Sequence, residues 1–145
     1  MTQFIQYNCN PKGRKTGDCS TRALATILNI SYEKALQEQC DTAIKYCYGL
    51  TSKETIEKIM AKYGWTKMKQ PRKDNGKKYL VGEINKLTSE NALILMANHF
   101  SVMCGGAILD IWDCRDKTIG NYWVKKGETY TPVKETKTTY RRIEL

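Results

Sequence analysis

Three short apolar segments in the second half of the chain constrain its fold most strongly. The run from Ala92 to Ala97 is predicted to be a buried strand. The next two runs, Phe100 to Cys104 and Ala107 to Trp112, are separated only by Gly105-Gly106, which is the spacing of a two-residue β-hairpin turn. The sequence therefore predicts antiparallel strands around one tight turn. Two further strands are expected, at Ile119 to Lys125 and at Tyr130 to Val133.

The first half of the chain carries helical signals. Three helices are expected, and each follows residues suited to cap it. The first follows Asp18 and runs from about Cys19 to Leu28, and the second is capped by Ser31 and runs to about Tyr46. The third begins at the capping-box pattern Thr51-Ser52-Lys53-Glu54 and runs to Tyr63, with Gly64 as a C-cap glycine. A short fourth helix is expected from Val81 to Leu87. Helices followed by antiparallel strands predict an α+β fold, and 145 residues predict a single domain spanning residues 1–145.

The composition is that of an ordinary globular chain, with 41% hydrophobic and 27% charged residues. We find no apolar stretch of transmembrane length and no secretory signal in the sequence, so we expect a cytoplasmic protein that does not enter a membrane. In that compartment the six cysteines are expected to be free thiols, most of them small core residues. With one histidine and no Cys-x-x-Cys pair, we expect neither a metal nor another cofactor.

The chain is basic, with a formal net charge of +9. That charge is compatible with nucleic acid or with an acidic protein partner. The lysines are spread along the chain, however, apart from Arg72-Lys73, Lys77-Lys78 and the basic tail. A solvated basic surface is therefore the favoured interpretation, and a nucleic acid is the less favoured partner.

Cys19 is the candidate nucleophile. The turn Gly17-Asp18 places it at the start of an apolar helix, where free N–H groups and the positive end of the helix dipole favour a thiolate. The competing interpretation is a buried structural cysteine. The negative charge of Asp18 supports that alternative unless its carboxylate points away as the helix cap.

His99 is the candidate base because it is the only imidazole in the chain and begins a predicted strand. In a hairpin with a two-residue turn, residues 101 and 110 are paired, as are 99 and 112. Asp110 then lies diagonally across from His99 on the same face and is the preferred orienting acid. Asp113 is the alternative, because a one-residue bulge would reverse the faces. Either carboxylate would otherwise be a solvent-facing residue of the hairpin.

Two further residues have weaker candidate roles. Trp112 lies opposite His99 in this register and could shield a His–Asp hydrogen bond from water, although a core or edge aromatic is the simpler interpretation. An oxyanion needs two donors, and the second besides the Cys19 N–H is assigned to Asn10 or Asn8. The alternative for Asn10, which precedes Pro11, is a turn-forming role.

These segments resemble the papain-like cysteine peptidases. The resemblance lies in Gly17-Asp18-Cys19 at a helix start, Asn98 to Val102 at a strand start, and Asp110-Ile111-Trp112 on the next strand. The small size and the order of the segments look closest to the bacteriocin-leader peptidases. The wider set, with Asn10 to Gly13 and Arg22-Ala23 added, also resembles small proteins of phages and mobile elements of Gram-positive bacteria. The papain pattern has a Gln shortly before the nucleophile, whereas residues 10–18 contain none.

The resemblance implies a papain-like fold and a Cys-His-Asp triad formed by Cys19, His99 and Asp110. We therefore expect a cysteine-dependent hydrolase or acyltransferase that acts on an amide, peptide or isopeptide bond through a thioester. Its partner would be a peptide or protein substrate, with the basic surface favouring an acidic one. The alternatives are a catalytically idle papain-like fold that serves as a phage-encoded inhibitor, and a basic nucleic-acid-binding protein.

Overall fold

The helical half of the chain folds largely as its caps predict. A computed structural model describes residues 1–126. Its α-helices are α1 (Cys19–Leu28), α2 (Tyr32–Tyr46) and α3 (Lys53–Lys62). The hydroxyls of Ser31 and Ser52 accept the N–H groups of Lys34 and Thr55, so each satisfies an open donor of its first helical turn. The third helix thus begins after Ser52, one residue later than the capping-box pattern indicates.

The helix ends also follow the sequence, with two corrections. Asn29 ends α1 in the left-handed conformation, and Gly64 follows α3 with a φ of +84°. Asp18 occupies the N-cap position of α1 but makes no side-chain capping hydrogen bond, contrary to expectation. The expected fourth helix is a six-residue 3₁₀ helix, Val81–Lys86.

The strands form one six-stranded sheet. They are β1 (Gln3–Gln6), β2 (Thr66–Met68), β3 (Ala92–Met96), β4 (His99–Cys104), β5 (Ala107–Asp110) and β6 (Tyr122–Val124), in the spatial order β1-β5-β4-β3-β6-β2. The expectation of a purely antiparallel sheet after the helices is wrong in one respect, because β1 precedes the helices and pairs parallel with β5. The architecture is thus α+β with a mixed sheet. β1 and β2 were not predicted because each is too short to show a periodic pattern.

The hairpin has the predicted register. Cys104 pairs with Ala107 and Val102 with Leu109 across the Gly105-Gly106 turn. Both glycines have positive φ angles, 59° and 82°, as a tight two-residue hairpin turn requires. Continuing this register places residues 101 and 110 opposite each other, which sets the face on which the Asp110 side chain emerges.

The sheet separates two apolar clusters. On one face, β4 packs against α1, and Leu24, Phe100 and Trp123 belong to the cluster there. The other face is covered by the 3₁₀ helix and by the segment after β5, with Ile84, Ile94 and Cys114 in the second cluster. Both faces are buried, so the sheet is a rigid central layer on which the ends of β4 and β5 hold their side chains in place.

The last two expectations about the fold concern a further strand and membrane-spanning helices. The candidate strand at Tyr130 to Val133 lies outside the described residues. Within residues 1–126, the structure contains no helix that is both long enough and apolar enough to cross a bilayer.

Candidate active site

Cys19 is the first residue of α1, and its side chain is half-buried. Since Asp18 does not cap the helix, the N–H groups of the first turn are not occupied by that carboxylate. Cys19 therefore lies at the positive end of the helix dipole, which favours a thiolate there.

The Asp18 carboxylate points away from the thiol, into a buried polar network. It accepts hydrogen bonds from Arg22 Nε at 2.7 Å, Tyr32 Oη at 2.8 Å and Asn10 Nδ2 at 3.0 Å. Burial raises the pKa of Asp18, but the hydrogen bonds from these three side chains outweigh burial and hold the pKa below its ordinary value. The charge of Asp18 is thus balanced by Arg22, which removes the main objection to a thiolate at Cys19.

His99 and Asp110 form a short buried pair. His99 Nε2 lies 2.7 Å from Asp110 Oδ2, and the Asp110 side chain is only 2% exposed. Asp110 Oδ1 accepts from Arg22 Nη1 at 3.2 Å and from the backbone N–H of Ile111 at 2.7 Å. Because Nε2 faces Asp110, Nδ1 is the ring nitrogen left for Cys19.

The charges of Cys19 and His99 favour an ion pair. Burial raises the pKa of the Cys19 thiol, but hydrogen bonds from the His99 ring and from the backbone of Phe100 outweigh burial and lower that pKa below its usual value. Burial alone would lower the pKa of His99, yet the hydrogen bond to Asp110, with smaller contributions from Cys114 and Cys19, raises it to about 11. The His99 ring is therefore protonated at neutral pH, and its charge favours the thiolate form of Cys19.

The two candidate carboxylates are clearly separated. Asp113 is exposed and binds Arg115, with Oδ2 of the aspartate 2.8 Å from Nη2 of the arginine. Asp110 alone of the two contacts His99, because the hairpin has the two-residue turn without the bulge that would have exchanged their faces. The structure therefore brings Cys19, His99 and Asp110 together and leaves Asp113 outside.

Trp112 lies beside the histidine. Its ring centroid is 4.8 Å from that of His99, at an interplanar angle of 48°, and the residue is 38% exposed. The indole thus packs at an angle against the imidazole and remains partly exposed to solvent. This position fits both a shielding role at the His99–Asp110 hydrogen bond and an edge aromatic, and it does not fit a core residue.

Asn10 and Asn8 have structural roles instead of pointing to the nucleophile. Asn10 donates its amide to Asp18 and accepts the Lys12 N–H through Oδ1. Asn8 Oδ1 accepts the N–H of Asn10, and its amide donates to the carbonyl of Arg14. The turn-forming alternative therefore describes Asn10 better than the oxyanion role does, and the Cys19 N–H is the donor that the site itself provides.

The sequence reasoning missed Arg22 as a part of this site. Its guanidinium joins the carboxylate next to the nucleophile to the carboxylate that orients the histidine. A signal was available, since Asp18 and Arg22 are four residues apart on a helix whose other side chains are mostly apolar and buried. A buried arginine requires a paired carboxylate, and Asp18 is the carboxylate that the local sequence places within its reach.

Among residues 1–126, one group of side chains has the atoms to bind a metal. His99, Asp110 and Cys114 place their ligand atoms within 4.8 Å of one another. The Asp110 carboxylate is already committed, however, to hydrogen bonds from Arg22, His99 and Ile111 N–H, with the Cys114 thiol at 3.7 Å. A cation there would also face the Arg22 guanidinium, so the residues suit an ion-paired histidine better than a metal. All six cysteines are free thiols.

No protein-family model, curated protein or solved structure matches this chain.

Proposed function

We propose that this protein is a cysteine-dependent hydrolase or acyltransferase of the papain-like type, acting on an amide, peptide or isopeptide bond. The observation that supports the proposal most directly is the row of three side chains, in which Cys19 interacts with a histidine whose far nitrogen is 2.7 Å from a buried aspartate. Surface histidines and structural cysteines do not need such an arrangement, whereas a nucleophile with a proton donor does.

The chemistry follows from the protonation states. The Cys19 thiolate attacks the carbonyl carbon, and the carbonyl electrons move onto oxygen, where the Cys19 N–H at the helix start is a donor. The tetrahedral intermediate collapses as protonated His99 gives its proton to the leaving nitrogen. This leaves a thioester on Cys19 and a neutral His99. Water, or an amine in a transferase, then attacks the thioester while His99 takes its proton.

The role of Asp110 in these steps is to keep the ring of His99 in one orientation and to stabilise its charged form. Burial raises the pKa of Asp110, but the hydrogen bond from His99 and the charge of that ring lower it further, so the group stays ionised. Arg22 holds the other carboxylate oxygen, so that the acid cannot rotate away from the histidine.

The test is the pH dependence of Cys19 alkylation by iodoacetamide, followed by peptide mass spectrometry in the native protein and in His99→Ala. We expect Cys19 of the native protein to react rapidly at about pH 6, where an ordinary thiol is protonated. In His99→Ala that acid-side reactivity should disappear. Cys47, which is exposed and far along the chain from the site, is the internal control.

A different result would overturn the proposal. If Cys19 reacts no faster than Cys47 and is unaffected by His99→Ala, the residues do not form an activated pair. The interpretation as an idle fold that binds a partner would then be the better one.

The alternative of a nucleic-acid-binding protein depends on the basic cluster within residues 72–78. Lys73 is paired with Glu83 at 2.9 Å, and Arg72 donates to the carbonyl of Gly76 and to Gln70. Glu83 therefore offsets the charge of Lys73, whereas Arg72 hydrogen-bonds only to neutral groups and keeps its charge.

A further inference from the structure

Two clefts meet at the catalytic histidine. The larger, of about 530 Å³, contains Cys19 and His99 and extends along the starts of α1 and α3 to Lys53. The smaller, of about 260 Å³, lies on the Trp112 side of His99 and extends to Lys117. Met96, the last residue of β3, and Asn98, in the turn that follows, line both clefts.

The proposed chemistry assigns each cleft to one part of a substrate. The acyl part becomes bonded to Cys19, so it must occupy the larger cleft, which contains that thiol. The leaving amine takes its proton from His99 and departs from Cys19. It therefore fits the smaller cleft, which His99 lines and Cys19 does not.

Each cleft has one lysine and no carboxylate among its lining residues. Lys53 belongs to the larger cleft and Lys117 to the smaller. Lys117 is exposed and has no ion pair with any carboxylate of the described part of the chain. Lys53 has Glu57 at 3.8 Å, but that carboxylate is bound more closely by Lys67, at 2.7 Å.

The position of Lys53 is costly for the fold itself. It is the first residue of α3, where the positive end of the helix dipole disfavours a cation. The dipole and the lysine therefore add their positive potentials at the same wall of the cleft. The exposed carboxylates closest in sequence, Glu54 and Asp116, do not line either cleft and face solvent.

We propose that the two clefts bind an acidic peptide segment, with a carboxylate side chain held by Lys53 on the acyl side of the cleaved bond and another held by Lys117 on the leaving-group side. This inference rests on the proposed function and names its substrate class. Electrostatic attraction of this kind increases the rate of encounter as well as affinity, and it weakens with salt.

A first experiment measures the charge selectivity of the clefts without needing a substrate. Cys19 is alkylated with the anionic reagent iodoacetate and with neutral iodoacetamide at low ionic strength, and the ratio of the two rate constants is compared among variants. We expect Lys53→Gln and Lys117→Gln each to lower the ratio about twofold, as loss of one charge several ångströms away predicts. The matched control Lys78→Gln removes an equally exposed charge that lines neither cleft and should leave the ratio unchanged.

A second experiment tests the substrate itself. The native protein is incubated with a peptide library derived from a proteome digest, and new termini are identified by mass spectrometry. Asp and Glu should be enriched on both sides of the cleaved bonds. Lys53→Glu should replace the acidic preference by a basic one on the acyl side, and Lys117→Glu should do so on the leaving-group side.

The outcomes are distinguishable from failure of the proposed function. If the ratio of the iodoacetate and iodoacetamide rate constants is unchanged in both glutamine variants, or if cleavage shows no acidic preference, the inference is overturned. The proposed enzymatic function would not be affected by that result. If an oligo-dT strand protects Cys19 from iodoacetamide better than a poly-glutamate peptide of equal charge, a nucleic acid is the ligand and the inference is wrong. If Cys19 is not activated by His99 at all, the proposed function itself fails.

Discussion

The guanidinium of Arg22 donates to Asp110 across 3.2 Å, linking the helix that carries the nucleophile to the strand that carries the orienting acid. Arg22 lies one turn after Cys19 on α1, whereas Asp110 ends β5. The same guanidinium binds Asp18 through Nε. The distance between α1 and β5 at the site is thus set by a buried charge network and not only by apolar packing.

Loss of Arg22 should be costly. Arg22→Gln leaves the buried Asp18 carboxylate without its cation and removes one of the two cations at Asp110, the other being His99. We expect a decrease of about 3–5 kcal/mol in the free energy of unfolding at neutral pH. The pKa values of Asp18 and Asp110 lie below the ordinary 3.8 in the native protein, so their contribution is present above that pH and is lost as the pH falls below it. The difference between native and variant should therefore shrink in acid. Urea denaturation at neutral pH and at about pH 3 measures both effects.

Lys67→Gln is the matched control for that experiment. It breaks an ion pair with Glu57 whose members are 41% and 32% exposed, so its cost should be below about 1 kcal/mol. An Arg22→Gln effect of the same size would contradict the importance of the network.

Asp110→Asn and Asp113→Asn should have different effects on the reactivity of Cys19. Burial is the largest influence on the pKa of His99 and lowers it, and Asp110 is the main group that opposes burial. Without the negative charge of Asp110, we expect the pKa of His99 to fall from about 11 to below its ordinary value, so that the Cys19 thiolate loses its cationic partner already in mild acid. We expect the rate of Cys19 alkylation at about pH 6 to fall by at least about tenfold. Asp113→Asn, which affects only the exposed pair with Arg115, should leave the rate unchanged. Equal effects of the two substitutions would argue against Asp110 as the orienting acid.

The hairpin turn should be sensitive to a single methyl group. Gly106 has a φ of +82° and open space around its missing side chain, so Gly106→Ala meets no neighbour but must adopt a strained backbone. We expect a loss of about 1 kcal/mol in the free energy of unfolding. Gly17→Ala is the control, because Gly17 has equally open space without a positive φ. Thermal unfolding of both variants by circular dichroism measures the difference.

Removal of the indole at position 112 should expose the His–Asp pair to water. In Trp112→Ala the hydrogen bond between His99 and Asp110 would be better solvated and so weaker, and the pKa of His99 should fall. As the pH is lowered, the rate of Cys19 alkylation should therefore begin to fall at a higher pH in Trp112→Ala than in the native protein. Trp112→Phe keeps a ring beside the imidazole and should have the native pH profile. An unchanged pH profile in the alanine variant would show that the indole does not shield the pair.

Much of this site could be predicted because it depends on short-range features. Gly105-Gly106 sets the turn, the turn sets the register, and the register places Asp110 on the same face as His99 and excludes Asp113. The start of α1 at Cys19 likewise follows from the Gly17-Asp18 turn and the apolar periodicity after it. The expectation failed where a side chain had two possible partners. Asp18 binds Arg22 instead of capping the helix, because pairing a buried cation is worth more than satisfying one N–H group.

The sequence by itself determined the helix boundaries, the hairpin and its register, since each depends on residues a few positions apart whose backbone preferences act directly. Only the tertiary structure decided that β1 pairs parallel with β5, and that Arg22 meets Asp110 from 88 positions away. Contacts of this range depend on how α1 packs against the sheet, and packing is a property of the whole core that no local pattern records.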